Sequence, residues 1–173
     1  MELSKHRRIA DSSVIIGFPP SKETEYSRYY EGKQLFYCSV SITELSRHFK
    51  RLANKGHLSP NRVGQRVAER FHGISRLVVT DFAISIARYL LVCYEQVWEL
   101  ENREETDYGD LLIAGCAIEH RMPLIAHDKL FQKIEIMFPR KFRLYTLLPP
   151  LSRHAVSQAQ SKLGAIKSIE TPW

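Results

Sequence analysis

The segment 110–131 reads DLLIAGCAIEHRMPLIAHDKLF and contains the patterns of a helix and a strand in succession. Residues 111–118 are apolar on every side of a helix, which predicts a helix that is buried all round. The short apolar run 124–126 predicts a buried strand that ends at His127 and Asp128. A buried helix that leads into a buried strand is typical of a parallel sheet covered by helices on both faces.

Strands and helices alternate in the same way along the rest of the chain. Ser41 and Glu44 have the spacing of a capping box, so we expect a helix to begin at Ser41. Segment 21–33 is predicted to be an amphipathic helix or a structured loop. Together these elements predict an α/β protein, a three-layer α/β/α sandwich with a central, mainly parallel sheet. The other predicted strands are 8–11, 35–40, 77–79 and 142–147, and the other helices begin near 12, 60, 82 and 129.

Length and composition indicate a single globular domain. The chain has 173 residues, of which 44% are hydrophobic and 25% charged. A domain of this size can bury a core without disulfides or a structural metal. We expect a domain over 1–148, followed by a basic C-terminal tail over 149–173 that packs on the domain or extends from it.

The cysteines and apolar segments favour a soluble, cytoplasmic protein. Cys38, Cys93 and Cys116 lie in separate apolar runs without a C-x-x-C motif, which is typical of buried thiols in a reducing compartment. No signal peptide is visible, and the longest apolar segment, 82–94, is interrupted by Arg88. That segment is too short to span a membrane, so we expect no membrane contact.

Charge is segregated along a chain whose formal net charge is +6. Segment 47–76 contains eight basic residues and one acid, whereas segment 95–110 contains seven acids and one basic residue. The basic residues recur along two predicted helices beside their apolar faces, which favours a polyanionic partner. Solvated helix faces without a partner are the alternative. The residues of this basic surface are Arg47, Arg51, Lys55, Arg62, Arg66 and Arg70.

Several common catalytic motifs are absent from the sequence. It contains no nucleophile elbow, no phosphate loop, no dinucleotide fingerprint and no H-E-x-x-H zinc pair. The seven histidines are scattered at spacings that match no zinc site. Carboxylates are therefore the remaining candidates for chemistry.

Acidic residues occur where a parallel sheet presents its ligand-binding edge. Asp11 ends the first predicted strand, Asp128 follows the strand at 124–126, and Asp110 begins the helix between them. Glu44 lies near the start of the helix after the second strand. The carboxyl ends of parallel strands face a crevice at the switch point of the sheet. Oxygen donors without soft ligands suit Mg²⁺ or Mn²⁺.

Each of these acids also has a purely structural interpretation. Asp11 and Asp128 are suited to cap the helices that follow them, and Asp110 would complement a helix dipole. The capping box alone explains Glu44.

Four segments of the sequence resemble, in order, the signature segments of PIN-domain nucleases, with the VapC-like toxins as the nearest branch. The resemblance covers about residues 8–148. It implies a three-layer fold, a metal-dependent endoribonuclease and frequent homodimerisation. The four segments read IADSSVII (9–16), VSITEL (40–45), DLLIAGCA (110–117) and LIAHDKLF (124–131).

The resemblance also implies roles for the acids. Asp11, Glu44, Asp110 and Asp128 would be catalytic, and Asp11, Asp110 and Asp128 would hold Mg²⁺ or Mn²⁺. The basic surface would then bind the RNA backbone. If the protein is the toxin of a toxin-antitoxin pair, a small antitoxin protein should block the crevice.

The sequence departs from the family pattern at two positions near the last acid. Ala126 stands where members commonly carry Thr or Ser, and Leu130 stands where many carry an acid. These departures motivate a non-catalytic, RNA-binding PIN-like protein as an alternative function. An RNA-processing nuclease without an antitoxin and a DNA-directed nuclease are further alternatives.

Overall fold

The computed structural model describes residues 3–16, 27–98, 108–166 and 171–172. Within these residues five strands form one sheet, and every pair of neighbouring strands is parallel. The strand order is β3-β2-β1-β4-β5, which confirms the predicted parallel sheet. The strands are β1 (Arg7–Ala10), β2 (Gln34–Cys38), β3 (Ser75–Leu77), β4 (Leu124–Ile125) and β5 (Leu144–Tyr145).

Helices connect the strands and cover both faces of the sheet. Two of them, α1 and α2, are single turns, and a short 3₁₀ turn at Pro60–Arg62 precedes α4. The described helices are α1 (Ser12–Ile15), α2 (Ser27–Tyr30), α3 (Val40–Asn54), α4 (Val63–Phe71), α5 (Asp81–Trp98), α6 (Tyr108–Glu119), α7 (Lys129–Met137) and α8 (Arg153–Ala165).

Alternating side chains of the central strands divide the core into two layers. Ile9 and Leu124 belong to a large cluster formed with α5, α6 and α7. The next residues along the same strands, Ala10 and Ile125, belong to a second cluster with α1 and α3. Successive residues of a strand point to opposite faces, so the sheet lies between two helical layers. The three-layer α/β/α prediction is confirmed.

The strand order creates a switch point between β1 and β4. From β1 the chain moves outward to β2 and β3 on one side, and then to β4 and β5 on the other. The connections that leave β1 and β4 therefore diverge to opposite faces of the sheet. Such a divergence opens a crevice at the carboxyl ends of the two strands.

The C-terminal segment contains a helix that packs on the domain. Ser152 caps α8 by accepting a hydrogen bond from the Ala155 N–H at 3.2 Å. The helix contacts α5 and α7, and Ala159 is buried between them. The proposed domain boundary at residue 148 stays a prediction.

Two local predictions were wrong. Helix α3 begins at Val40, after Ser39, so Ser41 is a buried residue inside the helix and does not cap it. The Ser39 N–H still donates to the Leu77 carbonyl at 2.8 Å, so the backbone bonding between β2 and β3 continues to the residue just before the helix. The third strand lies at Ser75–Leu77, two residues before its predicted position, and Val78 is exposed.

Two predicted segments lie partly outside the described residues. Of segment 21–33, the structure describes 27–33, and α2 is its helical part. Residues 99–107, which carry most of the acids of segment 95–110, are not described. Among the described helices, none combines the length and apolar character needed to cross a membrane.

The close packing of α5 against α6 depends on Gly115, where a Cβ atom would lie 2.5 Å from the Ala83 carbonyl oxygen. We expect Gly115→Ala to lower the free energy of unfolding by about 1–3 kcal/mol, since backbone must move to relieve the contact. The control Gly164→Ala, which meets nothing within 4 Å, should be neutral or slightly stabilising. Urea denaturation measures both variants. A Gly115→Ala protein as stable as the wild type would contradict this account of the interface.

Candidate metal centre and basic surface

Asp11 lies at the end of β1 and is only 3% exposed. Its N–H donates to the Ile125 carbonyl at 2.9 Å, which holds it against the end of β4. Its Oδ2 accepts hydrogen bonds from both the N–H and the hydroxyl of Ser13, and Asp11 is the N-cap of α1. The capping interpretation is therefore correct for Oδ2.

The other oxygen of the Asp11 carboxylate is not used by the cap. Oδ1 is buried and has no hydrogen-bond partner among the described residues. Burial raises the pKa of Asp11, and the negative charge of Asp128 adds to the rise, against hydrogen bonds from Ser13 and Ser12. A buried carboxylate oxygen without a partner is costly, and a bound cation would remove that cost.

Asp128 follows β4 on the other side of the switch point. It is exposed and caps α7, since its Oδ1 accepts a hydrogen bond from the Leu130 N–H at 2.7 Å. Because its charge acts on the Asp11 carboxyl, the two side chains lie within electrostatic range of each other. The structure thus brings together these two acids at the crevice.

Asp110 lies in the first turn of α6 and is partly buried. Helix α6 leads through residues 120–123 directly into β4, so it runs back across the sheet and begins towards the carboxyl edge. This is the edge where Asp11 and Asp128 lie. The fold therefore places Asp110 towards the same edge of the sheet, at the carboxyl ends of the strands, as Asp11 and Asp128.

Glu44 lies in α3, and its Oε2 is a buried atom. A hydrogen bond with Cys116 lowers the pKa of the Cys38 thiol, whereas burial and the charge of Glu44 raise it. Glu44 therefore lies within electrostatic range of Cys38, the last residue of β2. Since Ser41 is not a cap, the capping box no longer explains Glu44.

The donor set is compatible with a hard divalent cation held by few protein ligands. Among the described residues, no three His, Cys, Asp or Glu side chains are close enough together to hold one ion. Mg²⁺ usually keeps several waters and binds through one or two carboxylates. Asp11 and Asp128 fit this mode, and the orphaned Oδ1 of Asp11 is the oxygen best suited to ligate. The ligand set Asp11, Asp110 and Asp128 stays a prediction.

Ser13 is a candidate site residue that the sequence analysis did not single out. Its hydroxyl donates to Asp11 Oδ2 and accepts from the His127 N–H at 3.1 Å. The D-x-S spacing signals the local contact, because Asp side chains commonly bond the backbone two residues on. Nothing local signals the contact with His127.

The predicted basic surface lies on α3, on α4 and in the connection between these helices, which pack against each other. Arg66 forms an ion pair with Glu69 at 3.0 Å, and both side chains are substantially exposed. Burial and the nearby charge of Arg66 lower the pKa of Arg70, although Glu69 opposes the shift. Exposed ion pairs are weak, so Arg66 can exchange Glu69 for another anion. The remaining members, Arg47, Arg51, Lys55 and Arg62, are exposed.

Comparison with known families agrees with this architecture. Residues 8–137 match the model of the family described as PIN domain. The chain belongs to the PIN domain family. Proteins of this family are nucleases.

Solved structures with the same fold include chains of three VapBC complexes. One is VapBC2 from Rickettsia felis bound to a promoter DNA fragment, with 13% identity, a TM-score of 0.59, and coverage of 81% of this chain and 98% of that one. DNA-bound VapBC from Salmonella typhimurium has 15% identity and a TM-score of 0.58, with coverage of 82% of this chain and 98% of that one. VapBC-5 from Mycobacterium tuberculosis has 18% identity and a TM-score of 0.56, with coverage of 82% of this chain and 98% of that one. A search of curated protein sequences found no significant match.

The buried charge of Asp11 should make metal-free protein less stable as the pH rises. Because burial raises the folded-state pKa of Asp11, the folded protein retains that proton at a pH where the unfolded chain has lost it. The free energy of unfolding should therefore decrease as the pH rises from the ordinary pKa of Asp to the raised pKa of the folded protein. At pH 7, with chelator, Asp11→Asn should raise the Tm, by about 2–4 °C for each kcal/mol recovered.

Thermal denaturation of Asp128→Asn provides the matched control, since that carboxylate is exposed and should change the Tm less. Asparagine at position 11 can still accept the bonds from Ser13. A lower Tm for Asp11→Asn than for the wild type at pH 7 would show that the buried charge is already compensated.

Proposed function

We propose that this PIN domain is a Mg²⁺- or Mn²⁺-dependent endoribonuclease. The observation that carries the proposal is the buried Asp11, whose Oδ1 has no partner among the described residues, beside Asp128 at the switch point. A carboxylate buried in this way is suited to a cation. The PIN-family membership supports phosphodiester hydrolysis as the reaction.

We assign a different function to each acid according to its burial and its position at the crevice. Asp11 and Asp128 would hold the ion, with Asp110 as a third carboxylate that reaches it through a bound water. Such an ion lowers the pKa of a bound water and stabilises charge on the scissile phosphate. Glu44, with its buried Oε2, would orient a water on the α3 side of the crevice.

The basic surface of α3 and α4 would hold the RNA backbone next to this crevice. Helix α3 follows β2, the strand beside β1, so its basic residues and Glu44 belong to one element. Contacts from Arg and Lys to phosphate supply affinity without sequence preference. RNA as the substrate rests on this surface and on the resemblance to VapC-like toxins.

Asp110→Asn should abolish metal-dependent cleavage and leave the fold intact, because Asp110 lies at a helix start and is only partly buried. The assay uses labelled RNAs and single-stranded DNAs with Mn²⁺, with Mg²⁺ and with chelator. Asp81→Asn is the matched control, as it removes an exposed first-turn acid from α5. Full cleavage by the Asp110→Asn protein would refute the site, and cleavage of DNA alone would refute the substrate.

Neutralising Arg47, Arg51 and Arg62 together, each to Gln, should weaken RNA binding and reduce its dependence on salt. For single strands each lost phosphate contact makes the negative slope of log K against log salt shallower by about 0.7. Binding is measured by fluorescence anisotropy in the Asp110→Asn background, so that the RNA stays uncut. Arg153→Gln, on α8, is the control. An unchanged slope in the triple variant would show that this surface does not bind the RNA backbone.

We propose further that the protein is the toxin of a type II toxin-antitoxin pair. The structural matches to chains of VapBC complexes support this assignment. The partner would be a small antitoxin that covers the crevice, with an arginine reaching the carboxylates. A short open reading frame beside the gene would support the pair, and its absence would favour an RNA-processing nuclease. The toxin would act in the cytoplasm, as a homodimer.

A non-catalytic RNA-binding protein is the second candidate. The lack of a converged three-ligand group among the described residues favours it, as do Ala126 and Leu130, which are both buried. Calorimetric titration separates the candidates, because the binding protein would show no Mn²⁺ affinity.

A further inference from the structure

We propose that the Ser13 hydroxyl is a positioning group that sets Asp11 and the segment carrying Asp128 in register for metal binding. This inference deepens the proposed function and rests on it. It is carried by a hydrogen-bonded bridge between two segments that lie far apart in the chain.

The bridge begins where the sheet ends. Strands β1 and β4 pair up to Ala10 and Ile125, and the Asp11 N–H still donates to the Ile125 carbonyl. Beyond that bond the two segments diverge to opposite faces of the sheet. The His127 N–H then donates to the Ser13 hydroxyl at 3.1 Å, so the contact between the segments continues through a side chain.

The direction of the hydrogen bonds assigns a distinct function to each atom. The Ser13 hydroxyl has one proton, which it donates to Asp11 Oδ2, and its lone pair accepts from the His127 N–H. Oδ2 also accepts from the Ser13 N–H at 3.0 Å. Two bonds on Oδ2 fix the plane of the carboxylate and leave Oδ1 as the oxygen for a ligand.

Capping alone does not require this hydroxyl. Helix α1 is one turn long, and the bond from the Ser13 N–H to Asp11 is sufficient to cap it. The hydroxyl adds the connection to His127, the residue directly before Asp128. A rotation of Ser13 would therefore change Asp11 and the Asp128 segment together.

The test compares Ser13→Ala with Ser13→Thr and with Ser12→Ala, which removes the hydroxyl of the neighbouring residue. Calorimetry of the full chain measures Mn²⁺ affinity, and cleavage kinetics measure kcat and KM for RNA. Ser13→Ala should weaken Mn²⁺ binding by about 10- to 100-fold, the usual effect of losing a partner of a metal ligand. The KM for RNA should stay unchanged because the basic surface is intact, and Ser13→Thr should restore both affinity and kcat.

Amide exchange measured by NMR on metal-free protein reports the bridge independently of activity. The His127 amide should exchange faster in Ser13→Ala than in the wild type, in Ser12→Ala or in Ser13→Thr. Circular dichroism identifies any variant that fails to fold, and Ser13→Thr then still decides whether a hydroxyl is sufficient.

The outcomes separate the two proposals. If the wild type binds Mn²⁺ and cleaves RNA, and Ser13→Ala does so equally well, the positioning proposal alone fails. If Ser13→Thr loses as much Mn²⁺ affinity as Ser13→Ala, the hydroxyl is not the cause, and the proposal also fails. If the wild type neither binds Mn²⁺ nor cleaves RNA, the proposed function fails, and the positioning proposal fails with it.

Discussion

The pairing of β1 with β4 is the contact on which both the sheet and the candidate site depend. The two paired strands contribute side chains to the cores on both faces of the sheet. Ile9, Ala10, Leu124 and Ile125 are completely buried. A shift of the register by one residue would move every one of these side chains to the opposite face. The same register places Asp11 beside the end of β4, so the sheet and the site are fixed together.

The burial that stabilises the sheet also makes Asp11 costly to ionise. Asp11 directly follows Ile9 and Ala10, whose side chains belong to the cores on opposite faces, and it inherits their lack of solvent. Its raised pKa is the electrostatic consequence. Hydrogen bonds from Ser13 offset part of this cost at Oδ2 but contribute nothing at Oδ1. Within the described part of the chain, Oδ1 therefore stays without a partner at the crevice, as expected where stability is given up for ligand binding.

Periodicity and strand-end acids predicted most of this arrangement, because both depend on short stretches of sequence. The burial of α6 and the positions of Asp11 and Asp128 follow from apolar runs of a few residues. The capping box at Ser41 shows the limit, since α3 begins at Val40 and Ser41 is a buried residue inside the helix. The contact between Ser13 and His127 spans 114 residues. Only the folded sheet brings those residues together, so no local pattern predicts it.

The contact through Ser13 also changes the meaning of the departure at Ala126. Ala126 is completely buried, and its N–H donates to the Tyr145 carbonyl at 3.2 Å, so this position serves the pairing with β5. The next residue, His127, receives its side-chain partner from Ser13 across the switch point. A hydroxyl at the segment that carries Asp128 is therefore present in the folded protein, although it comes from the segment after β1. If Ser13 positions the site as proposed, Ala126 does not by itself argue against catalysis. A local sequence comparison at position 126 misses the hydroxyl, because that hydroxyl comes from Ser13 in a distant segment.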